Sequence, residues 1–478
     1  MYPNQQLRSA LSADWLIWFA AALLLVSILL GGGGAEAPAM NGVLEAGGAI
    51  LLCVSTARHL TGRPLPSTAL VPVALLLLLL LLILAQLIPL PPDWWSKLPG
   101  REAAATIYAL TGDNSAWRPL SLDPEATRRF AAALLLPAGL FAAAIRASYR
   151  GQIILGWTVV TGALLSAALA AAQLVAGLPG KLFLYGLPGA GVPTGLFANP
   201  NHQAQLMLAA IVMTGFVIYM SPTRIRRARR GSLPFHPGWL LFPIFMAGGL
   251  TTQSRAGMIL LAPALIAAVL FAAGGRGLAR IFGLTTIAIA GLAAMMAIFP
   301  GGLARGMQIQ AELSAGGRVT SFPDILFTLG QFWPWGSGFG TFVPVFQANE
   351  NLDLMGDAFL NHAHNDLLEL LIEGGLPMAA LIAAGLISMA VRLWRLVAAG
   401  RTVEPVTALT GLTILALALV HSLVDYPLRM HSLAAVAAVA LAFLQSATPR
   451  VEQRHRSPLW HRAFEPVPED AVPRKGSE

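Results

Sequence analysis

The stretch VPVALLLLLLLLILAQLI at residues 71–88 decides the fold class. It contains no charged residue and, as a helix, is long enough to cross about 30 Å of hydrocarbon. A transmembrane β-barrel would instead show short segments of alternating polarity. The whole chain agrees with this stretch, because 56% of its 478 residues are hydrophobic and only 11% are charged. Soluble proteins carry about a quarter charged residues. The sequence therefore predicts an all-α polytopic membrane protein.

Similar apolar stretches recur along the chain and give twelve predicted spans. They lie at 14–32, 42–57, 68–90, 130–145, 152–176, 202–220, 237–250, 257–273, 281–299, 366–391, 406–423 and 431–446. With a cytoplasmic N-terminus, 21 of the 31 Lys and Arg residues fall on the inner side. Because cytoplasmic loops of membrane proteins are rich in Lys and Arg, this bias predicts an even number of helices with both termini in the cytoplasm. Topology thus accounts for the net charge of +8, and we expect no nucleic-acid partner.

Three outward-facing segments, 91–129, 177–201 and 300–365, are too long for simple turns. The last is rich in glycine and aromatic residues, including FWPW at 332–335. Long loops in compact proteins are usually functional, and aromatic clusters beside a membrane often lie along its interface. We therefore expect short helices in this last outward-facing segment that lean on the bilayer.

Polar residues that interrupt the apolar pattern gather on the outer side. His364 comes just before the tenth span, and Asp366, Glu369 and Glu373 follow at a spacing that puts three carboxylates on one helix face. Because histidine titrates near neutral pH, His364 is a natural general base for a hydroxyl nucleophile. Two interpretations of Glu373 stay open: it pairs with an arginine for structure, or it helps to position a base or an acceptor.

Two arginines lie on the same outer side. Arg255 is the one cation in the brief turn between spans seven and eight, and Arg318 is isolated among small residues of the long loop. A guanidinium offers a planar fork of donors that suits a phosphate, and it stays charged in a partly dry site. Together with a histidine and an apolar floor, the two indicate a lipid-linked pyrophosphate. The alternative is that each forms a structural salt bridge.

Two smaller clusters carry less information. Asn199-Pro200-Asn201-His202 either is a turn that begins the sixth span or adds polar groups to the outer site. Asp425 and Arg429 can pair with each other in a short outer loop.

Metal and nucleotide sites are both disfavoured. The spacing of His362, His364 and Asp366 occurs in metallo-hydrolases, but residue 367 is a leucine and the other outer loops hold no carboxylate-rich partner motif. We therefore predict no metal and no cofactor.

The run GSGFG at 336–340 neither follows a parallel strand nor opens a βαβ unit, so it is not a nucleotide loop. Its glycines are expected to form a tight turn or to allow a close backbone approach.

Five segments together resemble the O-antigen ligase and Wzy-type polymerase superfamily of bacterial glycan assembly. They are FANPNHQAQLML at 197–208, TQSRAGMILL at 252–261, the stretch from Arg318 through PWGSGFGTF to Phe342, HAHNDLLELLIEGGLP at 362–377 and HSLVDYPLRM at 421–430. The segment at 362–377 is the most specific, and RPLSLDPEATRRF at 118–130 extends the similarity more loosely. One departure is Pro323, which stands where related chains usually continue a helix.

The resemblance implies an inverting, metal-independent glycosyltransferase of the GT-C type. Such enzymes lie in the bacterial inner membrane among its lipids, with the active site facing the periplasm. They take a glycan from undecaprenyl pyrophosphate and pass it to a hydroxyl. Residues 1–190 then form N-terminal membrane helices, 191–446 the ligase-like catalytic region with its periplasmic loop 300–365, and 447–478 a cytoplasmic tail.

Roles follow by motif from the same resemblance. His364 is the base that activates the acceptor hydroxyl, and Arg255 and Arg318 hold the pyrophosphate. The predicted substrate-binding residues are Asn201, His202, Asn365, Glu373 and Arg429.

The acceptor is a sugar of the lipid A-core in the ligases and another lipid-linked glycan in the polymerases. The resemblance favours a ligase without excluding a polymerase. A transporter of lipid-linked glycan or of a small anion is the alternative from another class. It would need ionisable residues near the bilayer midplane and broken helices in corresponding halves. Charges gathered at one face favour an enzyme instead.

Overall fold

The computed structural model describes residues 3–34, 37–61, 65–177, 182–185, 191–221, 236–273, 321–351, 360–399, 403–446 and 448–449. These residues are mostly helical. The helices are α1 Pro3–Leu30, α2 Pro38–Thr61, α3 Leu70–Gln86, α4 Pro92–Trp95, α5 Glu102–Leu110, α6 Pro124–Ala133, α7 Leu135–Ala144, α8 Tyr149–Val175, α9 Pro200–Tyr219, α10 Leu241–Leu250, α11 Arg255–Ala273, α12 Phe342–Gln347, α13 Asp366–Ala398, α14 Val406–His421 and α15 His431–Gln445. Residues 321–332 are also helical, and Pro323 lies within that helix.

Short elements complete the described part of the chain. Single 3₁₀ turns lie at Ser67–Ala69, Pro237–Leu240 and Pro427–Arg429. Strand β1 Pro89–Leu90 pairs antiparallel with β2 Arg118–Pro119, with Pro89 opposite Pro119. Strand β3 Val403–Glu404 pairs antiparallel with β4 Thr448–Pro449.

The predicted helical membrane class is confirmed by the length and composition of these helices. Seven segments are long and apolar enough to cross a membrane: Pro38–Thr61, Ser67–Gln86, Pro124–Ala144, Tyr149–Val175, Pro200–Tyr219, Arg255–Ala273 and Asp366–Ala398. Four shorter apolar helices are Trp15–Leu30, Pro237–Leu250, Val406–His421 and His431–Gln445. These eleven segments coincide with eleven of the predicted spans, while the predicted span at 281–299 lies outside the described residues. The total of twelve therefore stays a prediction.

Helix α9 forms the centre of the bundle, and it packs against α8, α10, α11 and α14. Close approach between helices depends on glycine, because in a membrane small residues let two backbones meet. A Cβ atom on Gly215 of α9 would lie 2.2 Å from the carbonyl oxygen of Ala268 in α11. A Cβ atom on Gly139 of α7 would lie 2.3 Å from the carbonyl oxygen of Gly48 in α2.

The helices begin and finish at two opposite ends of the bundle. At one end, α9, α13 and α15 begin and α3 and α14 finish. The bond from Ser422 Oγ to Asp366 Oδ2 (2.7 Å) joins the last turn of α14 to the start of α13. At the other end, Arg392 near the end of α13 donates to the carbonyl of Leu444 in α15 (2.9 Å). This alternation agrees with the helix directions predicted from the charge bias, and it gathers the polar motifs at one end.

Helix α13 is broken after its second turn, and the glycine-rich segment 334–340 docks into the break. Gly375 has φ 59° and ψ −150°, a conformation that only glycine adopts readily. The freed carbonyls of Ile372 and Glu373 accept hydrogen bonds from the amides of Ser337 and Gly338, both at 3.0 Å. A Cβ atom on Gly375 would lie 2.1 Å from the carbonyl oxygen of Pro334. A Cβ atom on Gly336 would lie 2.4 Å from the carbonyl oxygen of Glu373, which confirms the predicted close backbone approach in the run at 336–340.

The segment at 118–130 supports the same loop from the other side. The amide of Leu122 donates to the carbonyl of Ser337 (2.9 Å), and Thr127 Oγ1 donates to the carbonyl of Phe339 (2.8 Å). Gln86 at the end of α3 completes the junction, since its amide group bonds both the Phe339 N–H (3.0 Å) and the Glu373 carbonyl (2.9 Å). The described part of the segment 300–365 contains short helices, as expected, and both this segment and the segment 91–129 are tied to the bundle through hydrogen bonds.

Arg101, between α4 and α5, is fully buried beside this junction. Its guanidinium donates to the carbonyl oxygen of Leu120 (2.5 Å) and lies 5.6 Å from the centre of the Phe332 ring. Burial lowers the pKa of Arg101 to about 10. A buried cation held by carbonyls and aromatic rings fixes the segment 92–120 against the glycine-rich loop.

Candidate active site

His364 lies in the turn that leads into α13. Its backbone has φ 48°, in the left-handed region that non-glycine residues adopt rarely and often at functional sites. Its Nδ1 atom lies 3.2 Å from Oδ1 of Asp425, which is fully buried, while the His364 side chain keeps 19% of its surface exposed. The same Asp425 oxygen accepts the amide N–H of Tyr426 (3.0 Å). Asp425 is therefore fixed in place and orients the imidazole through Nδ1.

Asn365 begins α13 as its cap. Its Oδ1 accepts the amides of Leu367 (3.1 Å) and Leu368 (3.0 Å), which satisfies two free donors of the first turn. Its Nδ2 donates to the carbonyl of Leu423 (3.0 Å). The side chain thus joins the turn of His364 to the loop that carries Asp425.

The three carboxylates of α13 share one face, as the spacing predicts, and they surround Arg429. Nη2 of Arg429 lies 2.9 Å from Glu373 and 3.3 Å from Glu369, and its Nε lies 3.7 Å from Asp366. All three carboxylates are buried. Burial by itself would lower the pKa of Arg429, but the carboxylates raise it above its ordinary value. The interpretation that Glu373 pairs with an arginine is confirmed.

Each carboxylate also holds a piece of backbone. Asp366 Oδ2 accepts the amide of Leu428 (3.2 Å) in addition to the Ser422 hydroxyl. Glu373 Oε1 accepts the amide of Gly340 (2.9 Å) in the glycine-rich loop. Arg429 therefore connects three parts of the site, because its partners hold the start of α13, the turn after α14 and the loop at 334–340.

Glu369 holds the two residues before His364. Its Oε1 lies 2.8 Å from Nδ1 of His362, and its Oε2 accepts the amide N–H of Ala363 (2.9 Å). The turn is thus bonded on both sides of His364, by Glu369 before it and by the Asn365 cap after it.

Tyr426 packs at the centre of three histidines. Its ring centroid lies 4.2 Å from that of His362, 5.1 Å from that of His364 and 4.9 Å from that of His202. Its hydroxyl bonds the side chains of Asn199 and Asn361. Burial, together with the charge of Asp425, raises the pKa of Tyr426 to about 12.

The start of α9 lies against this cluster. Asn199 caps the helix, because its side-chain oxygen accepts the amide of Asn201 (2.8 Å), so this segment does form the turn that begins the span. Asn201 is half-buried in the first turn. His202 is buried, and neither of its ring nitrogens has a hydrogen-bond partner among the described residues.

The predicted site residues are brought together in part. His364, Asn365, Glu373, Arg429 and His202 belong to one connected cluster, with Asn201 beside His202. Arg255 is the exposed first residue of α11, and a Cβ atom on Gly257 would lie 2.6 Å from Cβ of Ala204, so α11 begins beside α9. Arg318 lies outside the described residues.

Three members of the cluster were given no role in the predicted site: Asp425 as the partner of His364, Glu369 as the clamp of its turn, and Tyr426 as the centre of the rings. The signal for Asp425 is its place as the one acidic residue between two apolar helices. Its pairing with His364, 61 residues earlier, depends on how two turns pack. Within the described ranges, no group of three or more His, Cys, Asp or Glu side chains is arranged to hold a metal ion.

Residues 239–383 match the family model described as O-antigen ligase. The resemblance to the O-antigen ligase and Wzy-type polymerase superfamily is thereby confirmed. The match contains His364, Arg255 and the glycine-rich loop, and it supports an O-antigen ligase-like or polymerase-like membrane enzyme. A comparison with curated proteins gives no significant match.

Proposed function

We propose that this protein is a membrane glycosyltransferase that moves a glycan from undecaprenyl pyrophosphate to a hydroxyl of the lipid A-core. In this proposal it lies in the bacterial inner membrane with the site facing the periplasm. The observation that carries the proposal is the pair of His364 and Asp425, held at 3.2 Å at the polar end of the bundle. An imidazole held by a buried carboxylate through Nδ1 keeps Nε2 for a substrate proton.

The reaction needs one proton acceptor and one stabilised leaving group. The acceptor oxygen attacks the anomeric carbon of the donor sugar while its proton passes to Nε2 of His364. The bond from that carbon to the diphosphate oxygen breaks, and the electron pair leaves with undecaprenyl pyrophosphate. A single displacement of this kind inverts the anomeric configuration.

Arg255 and Arg318 are proposed to hold the diphosphate. Guanidinium groups stabilise the charge that develops on a departing phosphate oxygen, so the scheme requires no metal ion. The exposed position of Arg255 at the start of α11, beside the start of α9, supports this role.

The remaining predicted substrate-binding residues divide into two groups. Asn201 and His202 are proposed to line the site at the start of α9. Asn365, Glu373 and Arg429 are engaged with protein groups, so we propose that they position the turn of His364 and the glycine-rich loop around the substrates.

The test is a surface-glycan gel profile of the host, comparing wild type with His364→Ala and Asp425→Asn at matched protein level. We expect His364→Ala to remove long chains from the lipid A-core while undecaprenyl-linked polymer accumulates. In vitro, Asp425→Asn should lower the transfer rate by about a thousandfold, because an amide no longer selects the correct tautomer of the histidine.

The control variant is His59→Ala, which removes a histidine bonded to the carbonyl of Ala142 (2.9 Å) at the far end of the bundle. Its profile should match wild type. A core that keeps a single repeat unit while the ladder disappears would identify a Wzy-type polymerase with a lipid-linked glycan acceptor. An unchanged profile in His364→Ala would refute the proposed transfer reaction with His364 as its base and would favour a transporter.

A further inference from the structure

The site contains two histidine–carboxylate pairs of the same construction. Nδ1 of His362 lies 2.8 Å from Glu369, and Nδ1 of His364 lies 3.2 Å from Asp425. Both carboxylates are buried, whereas the two histidine side chains keep 22% and 19% of their surface exposed. Across the described part of the chain, Nε2 of neither ring has a hydrogen-bond partner in the protein. One proton acceptor is enough for the proposed reaction, so the second pair needs a role of its own.

The bonds of Glu369 decide what His362 can offer. Its carboxylate accepts the Ala363 amide (2.9 Å) and faces Nη2 of Arg429 (3.3 Å). An ionised carboxylate only accepts hydrogen bonds, so Nδ1 of His362 carries the hydrogen, and in the neutral form of the ring the lone pair lies on Nε2. Such a lone pair accepts a hydrogen bond from a hydroxyl but repels an ionised phosphate oxygen. His362 therefore suits a sugar hydroxyl and not the donor diphosphate.

Both rings pack on one tyrosine, so they belong to the same part of the site. The His362 and His364 centroids lie 4.2 and 5.1 Å from the Tyr426 centroid. One acceptor sugar that binds beside Tyr426 can therefore present neighbouring hydroxyls to both rings. We propose that His362 accepts a hydrogen bond from a second hydroxyl of the acceptor sugar, next to the hydroxyl that His364 deprotonates.

This inference rests on the proposed function and narrows its substrate class. The acceptor must carry neighbouring hydroxyl groups, as an unsubstituted sugar residue does. An isolated hydroxyl, such as that of a serine side chain, would leave His362 without its bond.

The test measures initial transfer rates with the full-length protein in lipid nanodiscs. The donor is the undecaprenyl-linked glycan extracted from the host, and the acceptor is the glycolipid fraction of host cells that lack the gene. We expect His362→Ala to raise the acceptor KM by about tenfold, the loss of one neutral hydrogen bond, while kcat and the donor KM change less than about twofold. His362→Gln should recover part of the loss, because its amide oxygen can accept the same bond.

The matched control is His431→Ala, which removes another histidine paired with a glutamate, Glu45, at 3.0 Å. Its acceptor KM should equal that of wild type. A rise in the donor KM of His362→Ala would overturn the inference, since it would assign the ring to the donor. A fall in kcat with both KM values unchanged would also overturn it, because it would mean that His362 only positions His364.

A second arm tests the acceptor itself. Periodate cleaves the bond between carbons that carry neighbouring hydroxyls, so wild-type protein should no longer use a periodate-treated acceptor. Undiminished transfer to the treated acceptor would refute the proposal that His362 accepts a hydrogen bond from a second hydroxyl. Failure of wild type with the untreated acceptor would instead count against the proposed function.

Discussion

Helices α3 and α9 are both long enough to cross a membrane, yet they occupy opposite environments. Inside the protein, 94% of the α9 span is buried, against 11% of the α3 span. The less buried helix is the more apolar one, because 16 of the 17 residues of α3 are apolar and ten of them are leucine, whereas α9 carries His202, Gln203 and Gln205. In a lipid solvent, apolar character marks the surface that faces acyl chains, and polar side chains on a buried helix mark the place where chemistry is possible.

The largest effect should come from the centre of the bundle. Gly215→Ala puts a Cβ atom 2.2 Å from the Ala268 carbonyl oxygen, so α9 and α11 must separate. We expect a loss of about 3 kcal/mol in the free energy of unfolding, the cost of overpacking a tight contact. Thermal unfolding in detergent, followed by tryptophan fluorescence, measures it.

The control for this substitution lies on α13, where a Cβ atom on Gly385 would meet nothing within 4 Å. Gly385→Ala should leave the midpoint unchanged or raise it slightly. Equal unfolding midpoints for Gly215→Ala and Gly385→Ala would contradict the expectation that the buried helix α9 tolerates an added methyl group less well than α13 does.

A middle-sized effect should come from the one polar residue of α3 that reaches the site. Gln86→Leu removes two hydrogen bonds, to the Phe339 amide and the Glu373 carbonyl, and leaves both groups buried. We expect a loss of about 2 kcal/mol in the free energy of unfolding and a lower transfer rate. Leu77→Ala on the exposed face of the same helix is the control, and its stability and rate should stay at the wild-type level.

The smallest effect should separate two hydroxyls of α8. Ser166 bonds Gln203 of α9 and accepts the amide of Leu196 (3.1 Å), whereas Thr158 bonds only within its own helix, to the carbonyl of Ile154 (2.9 Å). Ser166→Ala should lower the free energy of unfolding by about 1 kcal/mol. Thr158→Val should cost less than half of that. The reverse order would mean that bonds to the central helix contribute no more than bonds within a peripheral one.

Local pattern predicted the spans and the helix face because both depend on residues close together in the chain. The run at 71–88 predicted α3 almost to its ends, and the spacing of Asp366, Glu369 and Glu373 predicted the shared helix face that contacts Arg429 in the structure. The glycines at 336–340 were expected to permit a close approach, and they do.

The pairings between distant segments could not be predicted in the same way. Asp425 reaches His364, and Tyr426 reaches three histidines, only because the turn after α14 packs against the starts of α9 and α13. No property of Asp425 or Tyr426 alone encodes that packing. The expected pairing of Arg429 with Asp425 was wrong, because Arg429 pairs with the three carboxylates of α13 and Asp425 pairs with His364.

The break in α13 has a consequence for how the amides of the glycine-rich loop exchange with solvent. Ser337 and Gly338 belong to a loop by sequence, but their N–H groups donate to carbonyls that the break at Gly375 and Pro377 leaves free inside a membrane helix. Hydrogen exchange at these two amides therefore requires the loop to separate from the broken part of α13. They should exchange on the slow timescale of the bundle, while amides on the exposed face of α5 in the same outer region exchange orders of magnitude faster.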